Sequence, residues 1–257
     1  MIFKKNRCIT GCRICIEVCP QKAISQNDTG VSIDRKLCQV CGTCAEFCPV
    51  NALEKAGKEF SATELLEQIE KDKVFFKESR GGVTFSGGEP LLQHVFLANV
   101  LEECCHRKIH TCLDTSGYAA SDVVERVARW TNLFLFDLKV VDDQKHKDYT
   151  GFSNQLILKN LRLLDTSGVP LIIRIPLVPG LNDSKEDIRQ AGEFIRSLKH
   201  IMRVDLLPYH DIAVQKYIRL NRLTETAGKK PPGQNWLDDI REQLAGFELN
   251  VSGGHAV

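Results

Sequence analysis

Apolar positions recur with two different periods along most of the chain. From about residue 62, short apolar runs bounded by glycine, proline or charged residues alternate with longer stretches in which apolar residues recur every three or four positions. The short runs predict β-strands at 82–86, 109–114, 133–138, 170–175 and 203–207. The longer stretches predict helices at about 62–73, 91–107, 121–130, 155–167, 185–199 and 235–245.

Strands separated by long helices form parallel sheets with right-handed crossovers, so we predict an α/β domain over residues 58–257. In such folds the residues just beyond the carboxyl ends of the strands form the binding site. Five segments hold these positions: SGGEP at 86–90, DTSG at 114–117, DLK at 137–139, Arg174 with Pro179-Gly180, and PYH at 208–210. Each alone has a structural explanation, such as a turn or a solvated ion pair. Together they indicate the mouth of a site for a polar cofactor.

The N-terminal region, residues 1–57, carries a cysteine repeat in place of this alternation. Eight of the 11 cysteines lie between Cys8 and Cys48, in segments spaced C-x3-C-x2-C-x3-C-P and C-x2-C-x2-C-x3-C-P. They are Cys8, Cys12, Cys15 and Cys19, then Cys38, Cys41, Cys44 and Cys48. The last three cysteines of the two segments are offset by a constant interval, which indicates two half-modules packed on each other. The other cysteines lack this spacing and are interpreted as core or surface thiols: Cys104, Cys105 and Cys112.

This spacing is typical of two 4Fe–4S clusters, each held by three cysteines of one loop and the pre-proline cysteine of the other. The first cluster is assigned to Cys8, Cys12, Cys15 and Cys48, and the second to Cys38, Cys41, Cys44 and Cys19. These ligands define an α+β ferredoxin-like module over residues 1–57. Zinc is the alternative, since C-x2-C pairs also form zinc sites, but zinc gives no reason for the repeated Cys-Pro.

Charge and hydropathy exclude two classes of protein. The formal net charge is +1, from 34 basic and 33 acidic residues without a basic block, which argues against nucleic-acid binding. No apolar run is long enough to cross a bilayer, and the sequence MIFKKNRCIT has no signal-peptide core. We therefore expect a soluble cytoplasmic protein.

The segments SGGEP, DTSG, DLK, RIPLVPG and LLPYH, in this order, resemble those of the glycyl-radical enzyme activating proteins. These proteins are a branch of the radical S-adenosylmethionine (SAM) superfamily. The resemblance covers nearly the whole chain and is to the pyruvate formate-lyase activase-like group that carries a two-cluster ferredoxin insert. It implies a partial (β/α) TIM-like barrel, truncated at its first strand, joined to the ferredoxin-like module.

The resemblance also implies roles for residues on the rim of this barrel. The residues implied to contact SAM are Gly87, Gly88 and Glu89 through their backbone, together with Lys139, Arg174 and His210. Those implied to hold a monovalent cation beside the cofactor carboxylate are Asp114, Thr115 and Asp137. Fixed carboxylates and donors in a concave site suit a zwitterionic sulfonium.

The implied reaction is reductive cleavage of SAM to a 5′-deoxyadenosyl radical, which takes a hydrogen atom from a backbone glycine of a large partner enzyme. A flavodoxin or ferredoxin is expected to supply the electrons, in an anaerobic setting. The two clusters are expected to relay these electrons, and the alternative is that they brace the surface on which the partner docks. Two alternatives stay open: a ferredoxin-type electron-transfer protein, and a radical SAM enzyme that acts on a small molecule.

The family's first strand and its own C-x3-C-x2-C motif precede the ferredoxin insert, and this sequence starts at the insert. We therefore expect an N-terminally incomplete form that is inactive or badly impaired, with no catalytic-cluster cysteines identified and a third 4Fe–4S cluster only in the full-length form. Cys8-x3-Cys12-x2-Cys15 has the spacing of that motif. However, Ile14 stands where the motif has an aromatic residue, and Cys19-Pro20 completes a ferredoxin half.

Overall fold

The computed structural model describes residues 1–27, 30–210, 229 and 233–253. The chain divides into two compact units. The first unit comprises Met1–Glu59 with His210 and Lys229, and the second comprises Phe60–Tyr209 with residues 233–253. No helix in these ranges combines the length and the apolar composition that crossing a bilayer requires.

The first unit is built from two antiparallel strand pairs and very short helices. Strand β1 (Ile2–Phe3) pairs with β4 (Leu53–Glu54), and β2 (Ile24–Asn27) pairs with β3 (Gly30–Ile33). Its helices are α1 (Ile14–Glu17), α2 (Thr43–Glu46) and a 3-10 turn at Lys5–Arg7. The interval in sequence between the starts of α1 and α2 equals that between the starts of β2 and β4. Each cysteine segment therefore builds the same succession of loop, helix and strand.

The core of the first unit is small and includes cysteines. Its buried residues are Met1, Cys15, Ile24, Val31, Ile33, Cys44 and Leu53. Each of the four-residue helices contributes one buried cysteine, Cys15 from α1 and Cys44 from α2. Helices this short are far below the length that is stable in water, so the surrounding contacts must hold them.

The second unit alternates helices with strands. The helices are α3 (Ala62–Lys71), α4 (Lys73–Ser79), α5 (His94–His106), α6 (Ser121–Ala128), α7 (Asp143–Thr150), α8 (Gln155–Ser167), α9 (Lys185–Arg196) and α10 (Gln234–Ala245), with a 3-10 turn at Pro90–Gln93. The strands are β5 (Gly82–Phe85), β6 (His110–Thr115), β7 (Leu133–Asp137), β8 (Leu171–Leu177), β9 (Ile201–Pro208) and β10 (Val251–Gly253). Their order in the sheet is β10-β9-β8-β7-β6-β5, and every neighbouring pair is parallel. The predicted α/β fold with a parallel sheet is confirmed.

Alternating side chains on the strands build a large core. The burial pattern of β8 is typical, with Ile173 and Ile175 buried on one face and Arg174 partly open on the other. Helix α8 adds Leu161 and Leu164, which are fully buried in the same cluster. The carboxyl ends of the parallel strands are therefore held in place by a tightly packed apolar core.

Three elements of the second unit were not predicted, namely α4, α7 and β10. The helix predicted to end at about residue 73 is followed directly by α4 (Lys73–Ser79). Helix α7 has no aliphatic side chain in its sequence DQKHKDYT, so it lacks the apolar period that predicts helices. It is instead bounded by the Asp142 side chain, which accepts the backbone N–H of Lys145 (2.8 Å), and by Gly151 at φ 81°. Strand β10 spans only the sequence VSG and is set by parallel pairing with β9. Strand β8 also runs further than predicted, through Pro176 to Leu177.

Candidate active site and cofactor-binding residues

Three charged side chains meet near the carboxyl ends of β6 and β7, where Arg174 reaches the other two from the middle of β8. Arg174 lies opposite Asp137 in the register of β7 and β8. Its Nε and Nη2 donate to Asp137 Oδ1 at 3.0 and 2.7 Å, and its Nη2 also donates to Asp114 Oδ1. The guanidinium therefore bridges two carboxylates from separate strands, and all three side chains are only about one-fifth exposed.

The charges of this group balance. Burial alone would lower the pKa of Arg174, but the charges of Asp137 and Asp114 outweigh burial and raise it, so the guanidinium stays protonated. Lys139 Nζ lies 3.6 Å from Asp137 Oδ2 and is more exposed. The Ser86 hydroxyl donates to Asp114 Oδ2 at 2.9 Å, which ties the glycine-rich loop after β5 to this group. The site thus presents two fixed carboxylates and two cations.

The Glu89 side chain joins two neighbouring loops. Its Oε1 accepts the Thr115 hydroxyl at 2.6 Å, and its Oε2 accepts the backbone N–H and the hydroxyl of Ser116 at 2.9 and 2.6 Å. Thr115 is buried, because successive residues on a strand face opposite sides and Asp114 takes the open side. Thr115 therefore lies with Glu89, apart from the group formed by Asp114, Asp137 and Arg174.

Two glycines shape the loops at this edge. Gly87 has φ 130°, a conformation that favours glycine, and a Cβ placed at Gly87 or Gly88 would meet no heavy atom within 4 Å. A ligand can therefore approach this backbone closely. Gly117 has φ 71°, and a Cβ there would lie 2.2 Å from the Phe136 ring, so the DTSG turn packs directly on the core.

Buried asparagines that the sequence analysis missed hold the loops at this edge. Asn160 Nδ2 donates to the carbonyls of Gly117 and Ala119 at 2.8 and 2.7 Å. Asn182 Nδ2 donates to the carbonyls of Lys139 and Pro176, both at 2.7 Å. Asn160 follows Ile157 by three positions on the apolar face of α8, and a polar residue on such a face could have identified it.

His210 is the remaining residue implied to line the SAM pocket. It is exposed and comes shortly after β9, which ends at Pro208. It is grouped with the first unit, whereas Arg174, Lys139 and the glycine-rich loop belong to the second.

The eight N-terminal cysteines form two groups, each around its own cavity. Cys8, Cys12, Cys15 and Cys48 line one small cavity. Cys19, Cys38, Cys41 and Cys44 line a second small cavity. Within the described part of the chain, no three histidine, cysteine or acidic side chains converge on a position for a single metal ion. Each cavity takes three cysteines from one segment and the pre-proline cysteine from the other.

The pKa values of the thiols reflect this grouping. Burial raises the pKa of Cys15 to about 11, and Cys8 and Cys12 raise it in the same direction. Burial is the main factor that raises the pKa of Cys44. The nearby thiolate charges raise it further, those of Cys19, Cys38 and Cys41. Thiolates this close repel one another, so their joint deprotonation requires compensating positive charge, which iron supplies in a cluster.

The two pre-proline cysteines accept equivalent hydrogen bonds. The backbone N–H of Ala23 donates to Cys19 Sγ at 3.3 Å, and that of Ala52 donates to Cys48 Sγ at 3.2 Å. Burial would raise the pKa of Cys48, but the surrounding backbone N–H groups outweigh burial and lower it. Hydrogen bonds to cluster sulfurs are one of the means by which proteins set cluster potentials. The cysteine groups thus have the composition and chemistry that 4Fe–4S clusters require.

Comparison with known proteins places this geometry in a family. The profile of the radical SAM superfamily matches residues 39–193. The chain belongs to the radical SAM superfamily. Within it, the chain is 39% identical over 257 residues to the trans-4-hydroxy-L-proline dehydratase activating enzyme of Clostridioides difficile, a match that covers 99% of this chain and 84% of that protein. It is also 38% identical to the isethionate sulfite-lyase activating enzyme of Oleidesulfovibrio alaskensis, over 100% of this chain and 82% of that protein.

The fold comparison agrees with this assignment. A crystal structure of a domain of pyruvate-formate lyase-activating enzyme from Bacteroides vulgatus ATCC 8482 superposes with a TM-score of 0.58 at 35% identity. The match covers 68% of this chain and 99% of that one. The chain is therefore a SAM-dependent activating enzyme of the glycyl-radical enzyme activating family, as the motifs of its rim predicted.

Proposed function

We propose that the rim of the parallel sheet binds SAM for the activation of a glycyl-radical enzyme. The observation that carries the proposal is the Asp114–Arg174–Asp137 bridge, linked through Ser86 to the open backbone of Gly87 and Gly88. SAM carries a carboxylate, an ammonium and a sulfonium, so it needs charges of both signs at fixed positions. Two carboxylates and two cations on adjacent strand ends meet this need.

Each rim residue has a role in this proposal. The backbone of Gly87, Gly88 and Glu89 holds the amino-acid end of SAM, while Lys139 and Arg174 line the rest of the pocket, and a contact from His210 stays a prediction of the resemblance. Because Asp114 and Asp137 already hold the Arg174 guanidinium, it is oriented before SAM arrives. The Glu89 side chain acts indirectly, since it joins the glycine-rich loop to the DTSG turn.

A monovalent cation beside the SAM carboxylate is also part of the proposal. Carboxylate oxygens suit such a cation, and Asp114 and Asp137 provide them. Both carboxylates already accept hydrogen bonds from the Arg174 guanidinium, so a cation would share them with Arg174. The Thr115 hydroxyl would need to leave Glu89 to join it.

The reaction needs a reductant and a protected site. Reductive cleavage of bound SAM at a 4Fe–4S cluster supplies the radical that takes a hydrogen atom from a glycine of the partner enzyme. The chain's own residues orient SAM through the charged rim. The apolar base of the sheet, with Phe136 fully buried, keeps water from that side of the rim.

For the first unit we propose a two-cluster, ferredoxin-like module over residues 1–57, with the barrel over 58–257. One 4Fe–4S cluster is held by Cys8, Cys12, Cys15 and Cys48, and the other by Cys19, Cys38, Cys41 and Cys44. The grouping of these thiols around two cavities supports the assignment. The clusters would pass electrons from a flavodoxin or ferredoxin to SAM cleavage.

Measurement of SAM binding tests the proposed pocket. We expect Arg174→Gln to weaken SAM binding to the anaerobically reconstituted chain at least about tenfold, since a charge-assisted contact is worth about 1.5–3 kcal/mol. Isothermal titration calorimetry measures the change. The matched control is Arg189→Gln, which removes an arginine that pairs with Glu186 and Glu193 on the exposed side of α9. Equal SAM affinity in the two variants would contradict the proposal and favour an electron-transfer protein.

The partner is proposed to be a glycyl-radical enzyme. The similar relatives act on different enzymes at 39% and 38% identity, so the similarity indicates the class of partner. The enzyme encoded beside this chain is the candidate, and calorimetry of the reconstituted chain with that enzyme would measure their binding.

A further inference from the structure

We propose that an acidic one-electron carrier protein docks on the surface around the first cysteine loop. We call this surface the basic face and define it by Lys5, Arg7, Ile9, Arg13 and Ile14. Electrons would then reach the cluster held by Cys8, Cys12, Cys15 and Cys48 before the other one. This inference rests on the proposed two-cluster function of the first unit.

The cations of the basic face have no ion-pair partner among the described residues. Lys5, Arg7 and Arg13 are all exposed, and none of them forms an ion pair with a described residue. Lys4 differs, because it is partly buried and pairs with Glu54. Three unpaired cations close in sequence create a positive surface that attracts an acidic partner and raises its association rate.

The second cysteine loop lacks this charge. Arg35 and Lys36 precede it, but Asp34 and Glu46 flank the same loop. Asp34 Oδ1 accepts the backbone N–H of Lys36 at 2.8 Å, and Arg35 Nη1 donates to the Met1 carbonyl at 2.7 Å. Charges of both signs therefore surround this loop. Glu17 of α1 corresponds to Glu46 of α2, so each loop has one such glutamate. The first loop differs in having three exposed cations near it and no counterpart of Asp34 among the described residues.

A groove connects the basic face with the first cysteine group. This groove is lined by Lys5, Cys8, Ile9 and Cys12, together with residues of β2 and β3. Cys8 and Cys12, two of the proposed cluster ligands, therefore line a groove at the protein surface. Electron transfer falls steeply with distance, so a carrier seated here would have a short path to this cluster.

Apolar side chains lie among the cations of the basic face. Ile9 is 50% exposed and Ile14 is 38% exposed. Small, transient electron-transfer interfaces combine such an apolar patch with a charged rim and bury less than about 1,200 Å2. In the proposed step, the reduced carrier loses one electron and the cluster gains it, and no atom or bond changes place.

Charge reversal on the basic face tests the inference. We compare the triple variant Lys5→Glu, Arg7→Glu and Arg13→Glu with a control that reverses three other exposed lysines, Lys22→Glu, Lys36→Glu and Lys77→Glu. The full chain is reconstituted anaerobically, and reduced flavodoxin is mixed with it in a stopped-flow instrument at low ionic strength. We expect at least a tenfold lower second-order rate of cluster reduction for the basic-face variant, and less than a twofold change for the control. Calorimetry with oxidised flavodoxin should show the same loss in binding.

The outcomes separate the inference from the proposed function. Equal slowing of both triple variants, or of neither, would overturn the docking site while the clusters remain. Potentiometric titration measures the reduction potentials of the clusters in each variant, which separates lost docking from a changed driving force for electron transfer. If the reduction rate of the basic-face variant equals that of the unsubstituted chain after correction for potential, the docking site is also overturned. Where the glutamate variant fails to hold iron, the triple glutamine variant at the same positions takes its place, with a smaller loss expected. A chain that holds no clusters at all contradicts the two-cluster function itself.

Discussion

The two units of this chain differ in what holds them together. In the first unit, seven side chains form the core, two of them are cysteines, and the helices are one turn long. In the second unit, 26 buried apolar side chains form one cluster beneath a six-stranded parallel sheet. Burial of apolar surface is worth roughly 25 cal/mol per Å2, so the second unit has a large source of stability that the first lacks. We therefore expect the stability of the first unit to depend on what its cysteines bind.

The difference extends to how each unit presents its reactive groups. Two cysteines of the first unit belong to its core and are also proposed as cluster ligands, so we expect cluster binding and folding to be coupled there. In the second unit the rim charges stand on the ends of strands whose other face is fully buried. Binding at the rim can change without unfolding the sheet. The following predictions test this contrast.

The largest effect is expected from removal of iron. Structural metal centres contribute on the order of 10 kcal/mol to folding, which exceeds what a core of seven side chains can replace. We expect the iron-free chain to lose hydrogen-exchange protection throughout residues 1–59 while strands β6, β7 and β8 stay protected. Hydrogen exchange followed by mass spectrometry measures both regions in one sample.

Substitution of single cysteines tests this prediction more closely. Cys19→Ala and Cys38→Ala should lose the same half of the bound iron, because both thiols line one cavity, whereas Cys48→Ala should lose the other half. Cys105→Ala, at an exposed thiol outside both groups, is the control and should keep all the iron. If the N-terminal residues keep their hydrogen-exchange protection after all iron is removed, the first unit does not depend on its cysteine ligands and the proposed difference between the units is wrong.

A smaller effect is expected from a cavity in the second core. Leu161 is fully buried, so Leu161→Ala should lower the free energy of unfolding of the second unit by about 2–5 kcal/mol. Both tryptophans, Trp130 and Trp236, lie in this unit, so their fluorescence during guanidinium denaturation reports on it. Leu92→Ala removes a leucine that is 78% exposed and should change stability by less than about 0.5 kcal/mol. Loss of iron in Leu161→Ala would show that the units are not independent.

The smallest effect is expected from high pH. Burial raises the pKa of Cys104 to about 11, so the folded unit keeps this proton after the unfolded chain, with a thiol pKa near 9.0, has lost it. Stability from this thiol is therefore complete below about pH 9 and is lost as the pH rises through about 11. We expect the unfolding free energy of the second unit to fall by roughly 1–2 kcal/mol over this range.

The variant Cys104→Ala isolates this contribution. It should have a flatter dependence of unfolding free energy on pH between 9 and 11 than the unsubstituted chain, whatever its stability at lower pH. Cys105→Ala, one residue along the same helix and exposed, should leave the slope unchanged. Identical slopes in all three proteins would contradict the assignment to Cys104.

The local pattern of apolar residues was sufficient to predict most elements of the second unit. The apolar runs predicted five of its strands to within two positions at each end, because buried strands and amphipathic helices have different periods. It was insufficient for α7, which contains no aliphatic residue and is defined by Asp142 and Gly151 at its ends. It also missed β10, whose short segment becomes a strand only through pairing with β9.

The sequence also predicted the side-chain contacts of the rim only in part. The sequence placed Asp114, Asp137 and Arg174 at strand ends, and the structure brings these three together. It also placed Thr115 with them, and there the structure directs the hydroxyl to Glu89. Asn160 and Asn182 offered no motif to recognise, since their partners are carbonyls of distant loops.

The order of the elements, the family of the protein and the pairing of its cysteine segments can be derived from the sequence, because periods and spacings are local and repeat. The partners of each rim side chain were decided only by the tertiary structure. Glu89 meets Ser116, and Arg174 meets Asp114, although each pair is far apart along the chain. Strand register and the choice of strand face determine such contacts, and both depend on how the whole sheet packs.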